Sequence, residues 1–226
     1  MRGGLERLGP FSYRWQAGQF PLGEDSLELA EFPRLRPGTR VCDLGCGPGA
    51  LMLLLARRQA GLELTGVELD PGAAEQAREN LRENGLPGRV ITGDLAESRR
   101  LLPPGRTDLV ISNPPYFAPE EGGVAAGSRG LARSGLACGP EELCRAAAWL
   151  LPSGGRLCLC WRPGRLVELL CAMRAHGVEP KRLRWVCPRD GAAPVLMLVE
   201  GRRQGRPGLE VLPPLIRSAG VPQAIP

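Results

Sequence analysis

Apolar residues along this chain gather in short runs separated by stretches of helical period. Val41–Leu44, Leu62–Val67, Arg89–Asp94, Asp108–Ser112, Arg156–Trp161, Leu183–Cys187 and Val195–Glu200 are such runs, bounded by turn residues, and they predict seven strands. Between them, Ser26–Phe32, Ala50–Ala56, Pro71–Asn84, Glu141–Leu151 and Leu166–Ala175 carry helical spacing. Their ends are marked chemically. Asp70 precedes Pro71 as a cap before a first-turn proline, Asn84-Gly85 closes the same helix, and Pro152-Ser153-Gly154-Gly155 stops the next. Strands alternating with helices predict an α/β fold with a doubly wound, mostly parallel seven-stranded sheet. Residues 1–38 are expected to form an N-terminal arm with a short helix, and 39–226 the sheet domain, the whole being one globular unit. Residues 1–22 read as irregular, with Phe11, Tyr13, Trp15 and Phe20 among Arg2, Arg7 and Arg14, which suits an arm packed over a pocket. Arg202–Leu212 reads as a basic turn and tail, and neither repeats nor linkers divide the chain.

Composition narrows the setting. With 226 residues the chain buries a full core. No apolar run has membrane-spanning length and no secretory h-region follows the start, so a cytoplasmic protein is expected. The eight cysteines are scattered without CxxC spacing, which points to reduced thiols and to neither a disulfide framework nor a metal site. The net charge of +5 is uneven: residues 1–150 hold 17 basic and 19 acidic side chains, residues 151–226 hold 12 and 5. A basic final third suits an anionic partner or a solvated face.

Candidate chemistry sits at the ends of the first four predicted strands. Strand one runs into Gly45-Cys46-Gly47-Pro48-Gly49 ahead of a helix, where backbone can approach a ligand closely. Strand two ends in Glu68-Leu69-Asp70, about 20 residues on, the spacing of a ribose-binding carboxylate. These features suit a dinucleotide or S-adenosylmethionine equally. Strand three ends in Asp94, either an acceptor for an adenine amino group or a helix cap. Strand four ends in Asn113-Pro114-Pro115-Tyr116. The prolines stiffen the backbone and hold the Asn113 amide and the Pro114 carbonyl together, a donor-acceptor set for one planar –NH₂ group, with Tyr116 against the ring that carries it. In a parallel sheet all four tips share one rim, outside the C-terminal strand ends where ligands bind. Glu120–Gly139, with Arg129 and Arg133, is placed to act as a lid. His176, the only histidine, reads as a cation at a helix end.

Asp43-Leu44-Gly45-Cys46-Gly47-Pro48-Gly49, Glu68, Asp94 and Asn113-Pro114-Pro115-Tyr116 resemble class I S-adenosylmethionine-dependent methyltransferases of the amino-methylating branch. More narrowly, the chain is similar to bacterial methyltransferases that modify N6 of adenine-37 in a valine tRNA. That likeness runs from Phe20-(x)4-Asp25-Ser26-(x)2-Leu29-Ala30, through Arg162-Pro163 and Glu179-Pro180-Lys181-Arg182-Leu183-Arg184, to Pro207-Gly208-Leu209-(x)3-Pro213-Pro214-Leu215-Ile216. The resemblance implies a Rossmann-like sheet and cofactor contacts at Asp43, Gly45, Gly47, Gly49, Glu68, Leu69, Asp94 and Asn113. It implies catalytic roles for Asn113, Pro114 and Tyr116, and substrate contacts at Pro115, Tyr116, Arg133, Lys181 and Arg182. The implied partner is tRNA, with no DNA, membrane or obligate protein partner. One departure stands out: after Arg133 the family carries His-Glu, whereas Ser134-Gly135 stand here.

Two other readings compete. A glutamine-N5 protein methyltransferase faces the same amide-nitrogen chemistry with the same tetrapeptide, but those enzymes carry a helical domain ahead of the cofactor domain. The glycine bend near residue 45 leaves no room for one. A non-catalytic module that binds the cofactor and RNA is the second.

Overall fold

The computed structural model describes residues 3–19, 21–114 and 139–217. Its centre is a sheet of eight strands flanked by helices. In chain order these strands are β3 (Arg40–Leu44), β4 (Glu63–Glu68), β5 (Gly88–Thr92), β6 (Leu109–Ser112), β7 (Arg156–Trp161), β8 (Val178–Cys187), β9 (Leu196–Arg203) and β10 (Glu210–Ile216). A separate hairpin, β1 (Gly4–Leu8) and β2 (Phe11–Trp15), precedes them. The spatial order is β10-β8-β9-β7-β6-β3-β4-β5. Strands β7, β6, β3, β4 and β5 run parallel, β9 is antiparallel to both its neighbours, and β10 is parallel to β8.

Helices cover both faces because the inner strands are apolar on both sides. On one face lie α1 (Glu24–Glu31), α2 (Ala50–Arg58) and α3 (Pro71–Glu83), with the hairpin. On the other lie α5 (Pro140–Leu150) and α6 (Leu166–Ala175), with the one-turn α4 (Ser98–Leu101). α2 is buried from Leu51 to Ala56, which fits its unbroken apolar run. α3 starts where Asp70 Oδ1 accepts from the Ala73 N–H at 2.6 Å, with Pro71 in the first turn. His176 caps α6 and meets Glu141 of α5 at 2.7 Å, tying two helix ends together.

Two segments differ from the sequence expectation. Residues 4–15 form a hairpin where an irregular arm was expected. Phe11, Tyr13 and Trp15 alternate with Ser12 and Arg14, a period-two pattern that carries the strand signal. The free edge of β2 docks on α3 through side-chain amides. Asn84 Oδ1 accepts from the Ser12 N–H at 2.8 Å and its Nδ2 donates to the Ser12 carbonyl at 2.8 Å. Asn80 repeats this two residues on, accepting from the Arg14 N–H at 3.1 Å and donating to its carbonyl at 2.9 Å. Asn80 and Asn84 thus stand in for a neighbouring strand, and Gln76 extends the row to Gln16 at 3.2 Å.

The second difference is β10, an eighth strand where a tail was expected. Pro213 and Pro214 argue against a strand because neither donates to a ladder. At the sheet edge that loss is tolerated, and the register shifts between Leu212 and Leu215 to accommodate it. The glycine- and alanine-rich stretch expected as a lid lies outside the described residues except for Gly139, whose N–H caps α5 through Glu142 at 3.0 Å.

Candidate active site

Because β6, β3, β4 and β5 are adjacent and parallel, their C-terminal ends open onto one rim. A row of hydrogen bonds stitches those ends together. Ser112 Oγ at the tip of β6 donates to the Leu44 carbonyl of β3 at 2.7 Å. The N–H groups of Gly45 and Cys46 reach the Val67 carbonyl of β4 at 2.8 and 3.1 Å. The Gly93 N–H after β5 reaches the Glu68 carbonyl at 2.8 Å. Gly47, Glu68, Asp94 and Asn113 therefore belong to one continuous edge, as the strand order demanded.

The glycine bend has two kinds of glycine. Gly45 and Gly47 have φ of 75° and 52°, and a Cβ at either would meet nothing within 4 Å. Their conformation and the open space beside them form a cradle that a side chain would fill. Gly49 has φ of 91° and starts α2, and a Cβ there would stand 3.2 Å from the Met52 methyl and 3.4 Å from Ala77. Its smallness serves packing. Asn80 Nδ2 also donates to the Pro48 carbonyl at 2.8 Å, so the amide that docks the hairpin also holds the bend.

Two carboxylates stand behind this cradle. Glu68, 6% exposed, accepts from the Gly47 N–H at 2.8 Å on one oxygen and from the Asp70 N–H at 2.8 Å on the other. Burial raises its pKa, and those backbone N–H groups oppose the rise. Asp43 is fully buried, and neither of its oxygens has a hydrogen-bond partner among the described residues. Burial, reinforced by the Glu68 charge, pushes its carboxyl up to about 8. The same neighbourhood raises Tyr13 of the hairpin, through burial first and then through Glu6, Cys46 and Asp43. An orphaned buried carboxyl costs free energy unless a cation or donor reaches it.

Asn113 sits half-buried just past β6. Its Nδ2 donates to Ser26 Oγ of α1 at 2.9 Å, and its Oδ1 accepts from the Cys160 thiol of β7 at 3.0 Å. Pro114 is buried beside it. Asp94 is exposed, and one oxygen caps the short 3₁₀ turn Leu95–Glu97 by accepting from the Ala96 N–H at 2.8 Å. Both sequence readings of Asp94 thus stay open, cap and acceptor. Leu69 lies partly exposed beside Glu68.

Two further expected residues, Lys181 and Arg182, are not brought to this rim. Lys181 and Arg182 lie midway along β8, and their guanidinium and ammonium groups have intramolecular partners. Arg182 donates to Glu200 at 3.0 Å and stacks 4.6 Å over the Phe32 ring, its side chain 16% exposed. Lys181 donates to the Arg206 carbonyl at 3.1 Å. The Arg182 guanidinium is thus engaged between a carboxylate and a ring, an ion pair that a substrate phosphate would have to compete with. Pro115, Tyr116, Arg133 and the Ser134-Gly135 departure lie outside the described residues. Sequence reasoning missed the roles of Ser26, Cys160 and Asn80. Their partners stand 87, 47 and 66 residues away, so no local pattern marks them.

A family model described as the methyltransferase small domain matches residues 26–168, which include the bend, all four strand tips and Asn113. The chain belongs to the methyltransferase small domain family. Among curated relatives of this methyltransferase, a tRNA1(Val) (adenine(37)-N6)-methyltransferase of Tolumonas auensis is 34% identical over 79% of the chain and 74% of that protein. A protein of the same name from Edwardsiella ictaluri is 38% identical over 62% of the chain and 57% of that protein. The match spans little more than half of several such relatives. Among solved structures, a predicted O-methyltransferase of Agrobacterium tumefaciens superposes with a TM-score of 0.68 at 28% identity, over 85% of this chain and 86% of that one. A Thermus thermophilus 16S rRNA N2 G1207 methyltransferase shares the fold, with a TM-score of 0.63 at 23% identity over 89% of this chain and 50% of that one.

Proposed function

We propose that this methyltransferase uses S-adenosylmethionine to methylate an exocyclic amino nitrogen, N6 of adenine-37 in the anticodon loop of a valine tRNA. The observation that carries the reading is the stitched rim, where an Asn-Pro amide group stands on the same edge as an open glycine cradle and two buried carboxyls. The substrate follows from the names of the curated relatives.

The residues present fit the cofactor. Gly45 and Gly47 leave open space with backbone exposed to it, which suits close passage of the methionine portion. Asp43 offers an unpartnered carboxyl behind them, suited to a cationic ligand. Glu68 has acceptor capacity beyond its backbone bonds for ribose hydroxyls, Leu69 adds apolar surface, and the exposed Asp94 accepts from an adenine amino group. When bound, the cofactor supplies an electrophilic methyl carried on a positively charged sulfur.

The chain's part in the reaction is to orient the acceptor nitrogen. Asn113 Oδ1 and the Pro114 carbonyl each accept one N–H of the target amine. Held there, the amine keeps its lone pair clear of both acceptors. The lost proton leaves after the nitrogen has become positively charged, so no strong base is needed at the rim. Positioning of this kind supplies most of the rate in a displacement. Tyr116, following Pro115 in the motif, supplies a ring for the flipped base, and Arg133 a phosphate contact. Base stacking contributes about 1–3 kcal/mol. Unstacking costs a few kcal/mol and least in a single-stranded loop.

Incubation of unmodified bulk tRNA with labelled S-adenosylmethionine, followed by nucleoside analysis, tests the reading. N6-methyladenosine at position 37 of a valine tRNA is expected. Label in protein glutamine would replace the reading with the amide-methylating alternative. Cofactor binding without label in either would leave a non-catalytic module.

A further inference from the structure

We propose that Ser26 and Cys160 are positioning residues that set the orientation of the Asn113 carboxamide, and that Arg217 holds Ser26 in place by clamping α1. The inference rests on the proposed role of Asn113 as the acceptor for the target amine.

A primary amide has two orientations related by a half-turn, and only one directs its oxygen toward a given amine. Two neighbours of Asn113 differ in a way that favours one. Ser26 Oγ accepts and donates well and so anchors the amide, whereas a thiol sulfur is a poor acceptor but can donate, which makes Cys160 the discriminating neighbour. In the observed orientation the amide N–H meets oxygen at 2.9 Å and the thiol donates to oxygen at 3.0 Å. Turning the amide over would set its N–H against sulfur.

Ser26 needs support of its own. α1 has eight residues and begins at Gly23 without a side-chain cap. A short helix like this owes its position to tertiary contacts. Arg217 supplies them from the other end of the chain. Its guanidinium donates to Glu28 at 2.7 and 2.9 Å and to Asp25 at 2.7 Å, and meets Glu24 at 3.2 Å. Asp25 and Glu28 flank Ser26 in sequence. The Arg217 N–H donates to the Cys187 carbonyl at the end of β8, which fixes the clamp to the sheet. The Pro207–Ile216 stretch picked out by sequence resemblance ends one residue before Arg217, so β10 delivers the clamp.

Four variants test this: Ser26→Ala, Cys160→Ala, Cys160→Ser and Arg217→Ala. The first readout is the Asn113 side-chain NH₂ pair in ¹H–¹⁵N spectra, assigned by its loss in Asn113→Asp. In Ser26→Ala the pair shifts from its native position, kcat on unmodified tRNA falls about 10- to 100-fold, and cofactor Kd stays within about twofold. Cys160→Ala shows a similar kcat loss. Cys160→Ser, whose hydroxyl accepts as readily as it donates, lets the amide turn over and keeps most of the kcat loss. Arg217→Ala lowers kcat alone but costs nothing further in the Ser26→Ala background, because both act through one contact. Unchanged NH₂ resonances in Ser26→Ala, or kcat within twofold of native there, overturns the proposal. A full additional loss in the double variant overturns the Arg217 part. A native protein that methylates no tRNA sinks the functional reading, while the resonance still decides the orientation.

Discussion

Asp43 is the least comfortable residue in the fold. Its carboxyl is buried without a partner among the described residues, and burial holds its pKa near 8 against an ordinary 3.8. As pH rises from about 4 to about 8, the unfolded chain releases this proton while the folded chain keeps it. The stability contributed by this group is therefore complete below pH 4 and is lost as pH climbs through 8. Asp43→Asn removes that loss. Without cofactor, the variant is expected to melt about 3–8 °C above the native protein at pH 8 and to equal it near pH 4, by thermal unfolding across pH. A cationic ligand reverses the preference and draws the carboxylate out. At pH 7, cofactor binding should release close to one proton, read from the buffer dependence of the binding enthalpy, and Asp43→Asn should release none. Equal melting temperatures at pH 8 would show that Asp43 has a donor. Asp43 itself was legible because it stands inside the glycine motif. Its lack of a partner was not, since that depends on what β4, β6 and the hairpin leave uncovered.

Among the elements, α3 does more than its amphipathic pattern announces. Asn80, fully buried, joins β2 to the glycine bend through the Arg14 N–H, the Arg14 carbonyl and the Pro48 carbonyl. Asn80→Ala takes the partner from all three groups and leaves the Pro48 carbonyl buried and unsatisfied. The expected cost is about 3 kcal/mol, or about 6–12 °C in melting temperature, with cofactor affinity also reduced because the bend loses its tie. Asn84→Ala breaks only the hairpin contact and its bond to the Asn80 carbonyl. It should cost about 1–2 kcal/mol and leave cofactor affinity within about twofold. Calorimetry and cofactor titration on both variants separate the two roles, and equal effects on affinity would mean that the bend does not depend on Asn80. The strands of the parallel half were legible because each is a compact apolar run between turn signals. The hairpin and β10 were not. In the hairpin, aromatic alternation was masked by interleaved arginines, and in β10 the Pro213-Pro214 pair reads as a break unless the strand is known to be an edge.

At the scale of the molecule, the proposed function divides the rim into a donor half and an acceptor half built from different parts of the chain. The donor half is the bend of β3 with Glu68 and Asp94 at the tips of β4 and β5. The acceptor half is Asn113 at the tip of β6, braced by α1 from before the bend and by β7 from far beyond it. Between β6 and β3 at the tip, Ser112 Oγ on the Leu44 carbonyl is a buried bridge. The shared rim was deducible from strand order alone, because parallel neighbours end on the same side. The division into halves was not, because the braces come from distant sequence. This construction predicts that the two functions separate cleanly. Gly47→Ala puts a Cβ into the open cradle at a φ of 52°. It should lower cofactor affinity at least about 30-fold, cost about 1 kcal/mol of stability, and leave tRNA affinity unchanged within about twofold. Asn113→Ala should do the reverse. Cofactor affinity stays within about tenfold of native, while methyl transfer to unmodified tRNA falls below detection. Titration of cofactor and of tRNA on each variant, with single-turnover transfer, gives all the readouts. If Asn113→Ala loses cofactor as completely as Gly47→Ala does, Asn113 belongs to the donor half, and the amine-gripping role of the Asn-Pro pair falls with it.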